Sequence, residues 1–257
     1  MATLVHYSVE ESVARLTLDS PDNRNALSTA LVNQLHQGLT DATEESGVRA
    51  VVLDHTGGTF CAGADLAEAA GRDPGDIAVD RARELTHLLR RILKLPIPVI
   101  AAVDGHVRAG GLGLVGACDI AVAGQASTFA LTEARIGVAP SIISLTLLPK
   151  MSARAASRYF LTGEKFGAAE AADIGLITIA ADDVKATVAS LSAAIAKASP
   201  QGLAASKALT TAPVLNAFDQ HAEALTRQSA ELFVSDEARE GMLAFLQKRQ
   251  PNWLRSP

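Results

Sequence analysis

The chain opens with two short stretches, Leu4–Val9 and Val13–Leu18, in which apolar and polar residues partly alternate around a turn at Glu10-Glu11-Ser12. Alternation at period two puts successive side chains on opposite faces, so the pattern predicts a β-hairpin. A loop of turn formers, Ser20-Pro21-Asp22-Asn23-Arg24-Asn25, comes next. Behind Ser28, a natural acceptor for the first free amides of a helix, Leu31, Leu35, Leu39 and Ala42 recur at helical spacing up to Gly47.

A second pattern then takes over. Arg49–Asp54 and Val99–Val103 are short apolar runs of the kind that form buried strands, and each leads into a loop of small residues. The first loop is His55–Asp65 and the second Asp104–Gly111. A charged amphipathic stretch from about Asp76 to Lys94 predicts a helix between them, stopped by Leu95-Pro96-Ile97-Pro98 because proline offers no N–H. A helical run to Cys118, a strand at Asp119–Ala123 and a short strand at Thr128–Ala130 follow. Strand, glycine loop and helix thus recur without a fixed sequence period. From Ala153 onward the pattern is nearly all helical, over 152–161, 167–174, 183–198, 201–211, 215–234 and 236–248, with one short strand near Leu176–Ile179. The reading is α/β with a helical C-terminal part, and a composition shift near Ser199-Pro200 is the best boundary.

Composition narrows this picture. A chain of 257 residues with 48% hydrophobic and 20% charged residues is long enough for a large core and far from disorder. Lys plus Arg is 23 and Asp plus Glu 28, a net charge of −5, which argues against a nucleic-acid binder. It does not exclude a localised site for a polyanion, since net charge governs long-range steering and not a single pocket. Arg91, Lys94 and Lys207 are candidate cations for such a site. Cys61 and Cys118 are expected as free buried thiols. Met1–Val9 has neither a basic nor an apolar leader region and no apolar run is long enough to span a bilayer, so a cytoplasmic protein is expected.

Gly111-Leu112-Gly113-Leu114-Val115-Gly116 matches G-x-G-x-x-G, but seven residues separate it from the preceding strand and no acidic residue ends a second strand about 20 positions on. A dinucleotide site is therefore not expected. The six histidines show no metal-ligand spacing, and no metal is expected. The two glycine loops carry more weight. Each follows a buried strand and precedes a helix, and two such loops can present free N–H groups to one developing negative charge. Glycine that merely permits tight turns is the alternative.

Phe60–Leu66, Pro98–Gly105, Ala109–Leu114, Ala117–Ile120, Phe129–Pro140, Leu161–Glu164 and Ala168–Gly175 together resemble the crotonase (enoyl-CoA hydratase/isomerase) superfamily over essentially the whole chain. That resemblance implies a crotonase-like spiral of ββα turns over residues 1–198. It also implies a C-terminal helical trimerisation region over 199–257, giving homotrimers or hexamers. The implied substrates are acyl-CoA thioesters, with no separate cofactor because coenzyme A is part of the substrate, and with neither nucleic acid nor membrane as partner. The backbone N–H groups of Ala64 and Gly110 match the family's oxyanion hole. Ala62, Asp65, Leu66 and Gly111 match the segments that hold the substrate and its CoA. Glu133 matches a catalytic glutamate, and in an otherwise small and apolar segment its burial would raise its pKa toward working pH.

One position departs from the pattern. Typical hydratases of the family carry a further glutamate three residues after the oxyanion glycine, and here that residue is Gly113. Three outcomes follow. Glu133 alone serves in a hydratase, adding water to a 2-enoyl-CoA through an enolate held in the oxyanion hole. Or Glu133 shuttles one proton between two carbons, as in a single-glutamate isomerase. Or His106, Arg135 or Ser141 supplies the missing group. Arg135 would suit a second carboxylate on the substrate, since the surrounding segment is similar to hydratases of branched glutaconyl-type esters. A serine triad at Ser141 is not expected, for no nucleophile elbow surrounds it. A non-catalytic acyl-CoA-binding protein is the reading from another class.

Overall fold

The computed structural model describes residues 2–65, 68 and 74–254. The hairpin forms as β1 (Val5–Glu10) and β2 (Val13–Leu18), paired antiparallel with Val5 opposite Leu18. Ala14, Leu16 and Leu18 all turn into the core, the outcome that alternation demands. Helix α1 (Thr29–Glu44) begins at Ser28, whose hydroxyl accepts from the Leu31 N–H at 3.2 Å.

The units that follow repeat one plan. β3 (Ala50–His55), β4 (Thr59–Cys61) and α2 (Pro74–Lys94) make one turn; β5 (Val99–Val103), β6 (His106–Arg108) and α3 (Gly110–Ala117) make the next. β7 (Ile120–Gly124) and β8 (Thr128–Ala130) begin a third, which continues into a 3-10 turn at Glu133–Ile136 and α4 (Ser141–Leu147). The first strand of each turn joins a six-stranded sheet, in which β2, β3, β5, β7 and the later β10 (Ile179–Ala181) run parallel. The second strand joins a smaller sheet, ordered β4, β6, β8 and β9 (Phe166–Gly167), in which the first three run parallel. The chain is therefore the expected spiral of ββα turns.

The sequence pattern assigned β4 and β6 to loops. Each is only three residues long and rich in polar or small residues, so local pattern carries no strand signal, and pairing to the neighbouring turn supplies it. The helices expected at 201–211 and 215–234 are one, α8 (Pro200–Phe233), with Pro213 inside it. Its Val214 and Phe218 pack into the same core as Leu31 and Leu89, so tertiary burial carries the helix past the proline. The remaining helices are α5 (Ala153–Thr162), α6 (Ala168–Asp173), α7 (Val184–Ala196) and α9 (Asp236–Leu246). Cys61 and Cys118 are free and buried, and burial pushes both thiols up to about 12, which keeps them protonated and inert. Among the described residues no helix is long and apolar enough to cross a membrane.

Candidate active site

Three neighbouring parallel strands, β4, β6 and β8, deliver three of the candidate positions from their carboxyl ends. Ala64 lies three residues past Cys61, Gly110 two past Arg108, and Glu133 three past Ala130. Carboxyl ends of parallel strands are where such sheets gather ligand-binding groups, because every connection there starts from the same edge. Arg108 fixes the spacing of two of them, since its guanidinium donates to Thr128 O at 2.7 Å and to Thr128 Oγ1 at 2.8 Å, tying β6 to β8. Ala109 N–H donates to Ala130 O at 3.2 Å and extends the pairing to the rim.

Ala64 pairs in a parallel bridge with Leu27. The bonds run from Leu27 N–H to Gly63 O at 2.7 Å and from Asp65 N–H to Leu27 O at 3.4 Å. In such a bridge the intervening residue points its own N–H the other way, so the Ala64 amide faces away from Leu27. The Gly110 amide is the first of α3, where no preceding turn accepts it. Among the described residues neither amide donates to another protein group in the turns and loops.

The two amides sit on loops in direct contact. A Cβ on Gly63 would lie 2.8 Å from Ala109 Cβ and 3.4 Å from Gly110 N. Gly63 has φ of +92°, so glycine is required there on both counts. Ala109 itself is held at φ +46°, ψ −124°, a conformation a side chain rarely adopts. The strain turns the chain sharply into α3 and sets the direction of the next amide, that of Gly110. Gly111 lies flat on β4, for a Cβ there would be 2.8 Å from Cys61 O.

Glu133 is 7% exposed and one of its oxygens, Oε2, has no partner among the described residues. Burial pushes its carboxyl up to about 7. A carboxyl at that value is divided between its acid and base forms near neutrality, which suits proton transfer in both directions.

The place of a second carboxylate is filled. Gly113 is buried, with the Ile143 side chain where a Cβ would stand and Leu89 Cδ1 3.3 Å away. Of the residues considered as substitutes, His106 is exposed and bonded to Thr128 Oγ1 at 2.9 Å, and Arg135 is exposed with Nε donating to Thr162 O at 2.8 Å. Ser141 is buried, and its hydroxyl has no partner among the described residues.

The remaining candidates divide. Asp65 accepts from Asn23 Nδ2 at 3.1 Å, and its carbonyl accepts from Arg81 Nη1 at 3.0 Å. Ala62 is half-buried, its N–H donating to Arg24 O at 3.1 Å. Leu66 lies outside the described residues. Lys207 is not available to a phosphate: it is 5% exposed, lies 2.7 Å from Asp119 Oδ2, and donates to Ile92 O at 2.9 Å and Ile97 O at 3.1 Å. Arg91 is half-buried with its guanidinium on Thr40 Oγ1 at 2.5 Å, while Lys94 is exposed. Sequence reasoning missed Arg108, Ile143 and Asn25. Asn25 was visible only as one of several turn formers, and nothing in the pattern marked it as fully buried.

Comparison with known proteins shows the family and the fold. The model of the enoyl-CoA hydratase/isomerase family matches residues 8–256. An enoyl-CoA hydratase structure from Mycobacterium avium is 66% identical, with a TM-score of 0.92 over 98% of this chain and 100% of the other. A Rhodobacter capsulatus protein named as a probable enoyl-CoA hydratase is 35% identical over 97% of both chains. A Mycosarcoma maydis protein, enoyl-CoA isomerase/hydratase fer4, is 32% identical over 93% of this chain and 91% of its own. The family model over nearly the whole chain, with relatives above 30% identity covering more than nine-tenths of it, shows that the chain belongs to the enoyl-CoA hydratase/isomerase family, the crotonase superfamily.

Proposed function

We propose that the chain adds water reversibly across the C2=C3 bond of a 2-enoyl-CoA, with Glu133 as the single proton carrier. The thioester oxygen is received by the amides of Ala64 and Gly110. Ala62, Asp65 and Gly111, next to these amides in the chain, are the candidates for holding the substrate and its CoA. As water oxygen bonds to C3, one water proton passes to the Glu133 carboxylate and the electrons of the C2=C3 bond move to give an enolate. The two amides stabilise its oxygen, a contribution of several kcal/mol where water is excluded. Glu133, now protonated, returns the same proton to C2, so atoms and charge balance and the carboxylate is regenerated. The observation that carries this reading is the buried Glu133 carboxyl, poised near 7 and issuing from the same strand ends as the two free amides.

A second reading, migration of the double bond between C3 and C2, is favoured by Gly113. With Ile143 over it, Gly113 offers an apolar wall where a second carboxylate would stand, and a single base that takes a proton from one carbon and returns it to another needs no second one. One assay separates the readings: crotonyl-CoA and a 3-enoyl-CoA are each supplied and water addition and migration are followed. Hydration lost in Glu133→Gln supports the first reading, and migration without hydration the second. Tight binding with neither activity makes the protein an acyl-CoA binder. Hydration unchanged in Glu133→Gln overturns the assignment of Glu133.

We also propose that the chain works as a homotrimer or a hexamer built from trimers. Leu243, Phe245 and Leu246 of α9, with Trp253 and Leu254 just beyond it, are exposed apolar residues that a second copy of the chain would cover. A monomeric mass in sedimentation would overturn this.

A further inference from the structure

Asn25 is fully buried, and its carboxamide is completely engaged. Nδ2 donates to Thr56 O at 3.2 Å and to Thr59 O at 2.8 Å, the two ends of the tight turn between β3 and β4. Oδ1 accepts from Ser20 N–H at 2.7 Å, and Asn25 N–H donates to Ser20 O at 2.8 Å. Arg24 and Asn25 both have positive φ, +59° and +54°, so the chain reverses sharply here. The carboxamide offsets that strain by clamping the 20–28 loop to the 56–59 turn.

The clamped loop then holds the segment that carries Ala64. Arg24 O accepts from Ala62 N–H at 3.1 Å, Leu27 N–H donates to Gly63 O at 2.7 Å, and Leu27 O accepts from Asp65 N–H at 3.4 Å. Leu27 reaches the other donor as well, with Cδ1 3.3 Å from the position of a Cβ on Gly110. The backbone bonds of Ala62, Gly63 and Asp65 to Arg24 and Leu27 thus pass through a loop that the Asn25 side chain clamps.

We propose that Asn25 is a positioning residue for the oxyanion-binding amide of Ala64, acting through the 20–28 loop. This rests on the reading that Ala64 and Gly110 receive the thioester oxygen. A preorganised donor loses its advantage when displaced by about 1 Å, at a cost on the order of a hundredfold in rate.

The test uses the full chain and a conjugated aryl-enoyl-CoA such as cinnamoyl-CoA, whose carbonyl stretch and absorption shift when its oxygen is polarised. Asn25→Gly removes the carboxamide while accepting positive φ at no cost. Asn25→Asp keeps the acceptor for Ser20 N–H but sets carboxylate oxygens against Thr56 O and Thr59 O, and serves where Asn25→Gly does not fold. The expected result is a shift in the unaltered protein that falls by at least half in the variant. Binding of cinnamoyl-CoA stays within about threefold, kcat on crotonyl-CoA falls about tenfold to a hundredfold with KM little changed, and the midpoint of the pH profile stays near 7. A merely structural role would lower the amount of folded protein and leave the shift and kcat of each folded molecule intact, and that outcome overturns the proposal. A shift that survives in the variant removes the role of Asn25 alone. No shift in the unaltered protein removes the oxyanion reading itself, and the proposal with it.

Discussion

Ile143 occupies the space a side chain on Gly113 would need: its Cβ is 3.0 Å from where a Cβ on Gly113 would stand. Glycine and isoleucine are therefore a matched pair, one yielding the volume the other fills. Gly113→Glu alone is expected to cost on the order of 3 kcal/mol or more, since it combines overpacking with a buried, unpaired carboxylate. Ile143→Ala alone is expected to cost about 2–5 kcal/mol from the cavity it leaves. The double variant should lose clearly less than the two singles together, because each change relieves the other. Urea denaturation of the three proteins measures this, and strict additivity would show that the pair is not coupled.

Glu133 links stability to pH with a definite sign. Its native value, about 7, is raised above the ordinary 4.5 by burial, so the folded protein holds the proton more tightly than the unfolded chain. The associated stability is fully present below about 4.5 and is lost as pH rises through about 7, amounting to roughly 3 kcal/mol. Glu133→Gln should accordingly be more stable than the parent at pH 8 and little different at pH 4.5. Thermal unfolding at the two values checks it.

The same group governs activity in the opposite direction. In the proposed hydration the carboxylate acts first, so kcat/KM should rise with pH to a plateau above about 7. Glu133→Gln should lower kcat by roughly 10²–10⁴-fold. A pH–rate profile flat from 5 to 8 would separate Glu133 from the proton transfer.

Gly63 should tolerate no side chain. Alanine would suffer at φ +92°, and its Cβ would stand 2.8 Å from that of Ala109, which would have to move. Gly63→Ala is expected to cost about 1–3 kcal/mol and to reduce kcat more than KM, because the two amide-bearing loops part. Full activity in a stable Gly63→Ala protein would refute the close approach.

Lys207 should matter to folding and not to coenzyme A. Lys207→Ala leaves Asp119 without its cation beneath α8, at an expected cost of about 3–5 kcal/mol. Affinity of the folded fraction for an acyl-CoA, read by calorimetry, should stay unchanged. A tenfold loss there would restore Lys207 as a phosphate ligand.

The spiral was legible wherever a strand was long enough to show its period. β2, β3, β5 and β7 each bury several consecutive or alternate apolar residues, and pattern alone located them; β1 buries only Val5, and its partial alternation was enough. The strands that aim the site, β4 and β6, are three residues each and were not legible. Their identity as strands comes from pairing with a neighbouring turn about 45 residues away, a partner that no local window contains. Pro213 misled in the opposite sense, because a breaker read locally is outvoted when Thr211 before it and Val214 and Phe218 after it are buried along one continuous helix.

The sequence by itself determined the family, the recurring order of strand, glycine loop and helix, and the choice of Glu133 as the candidate, since each depends on residue type and spacing along one chain. Only the tertiary structure decided what those residues meet. It put Ile143 into the space left by Gly113, retired Lys207 into a buried ion pair, and bound the Ala64 segment to Arg24 and Leu27, some 40 residues earlier. Burial and contact are properties of the whole packed chain, so the raised carboxyl of Glu133 and the direction of the Ala64 amide exist only once distant turns of the spiral have closed around them.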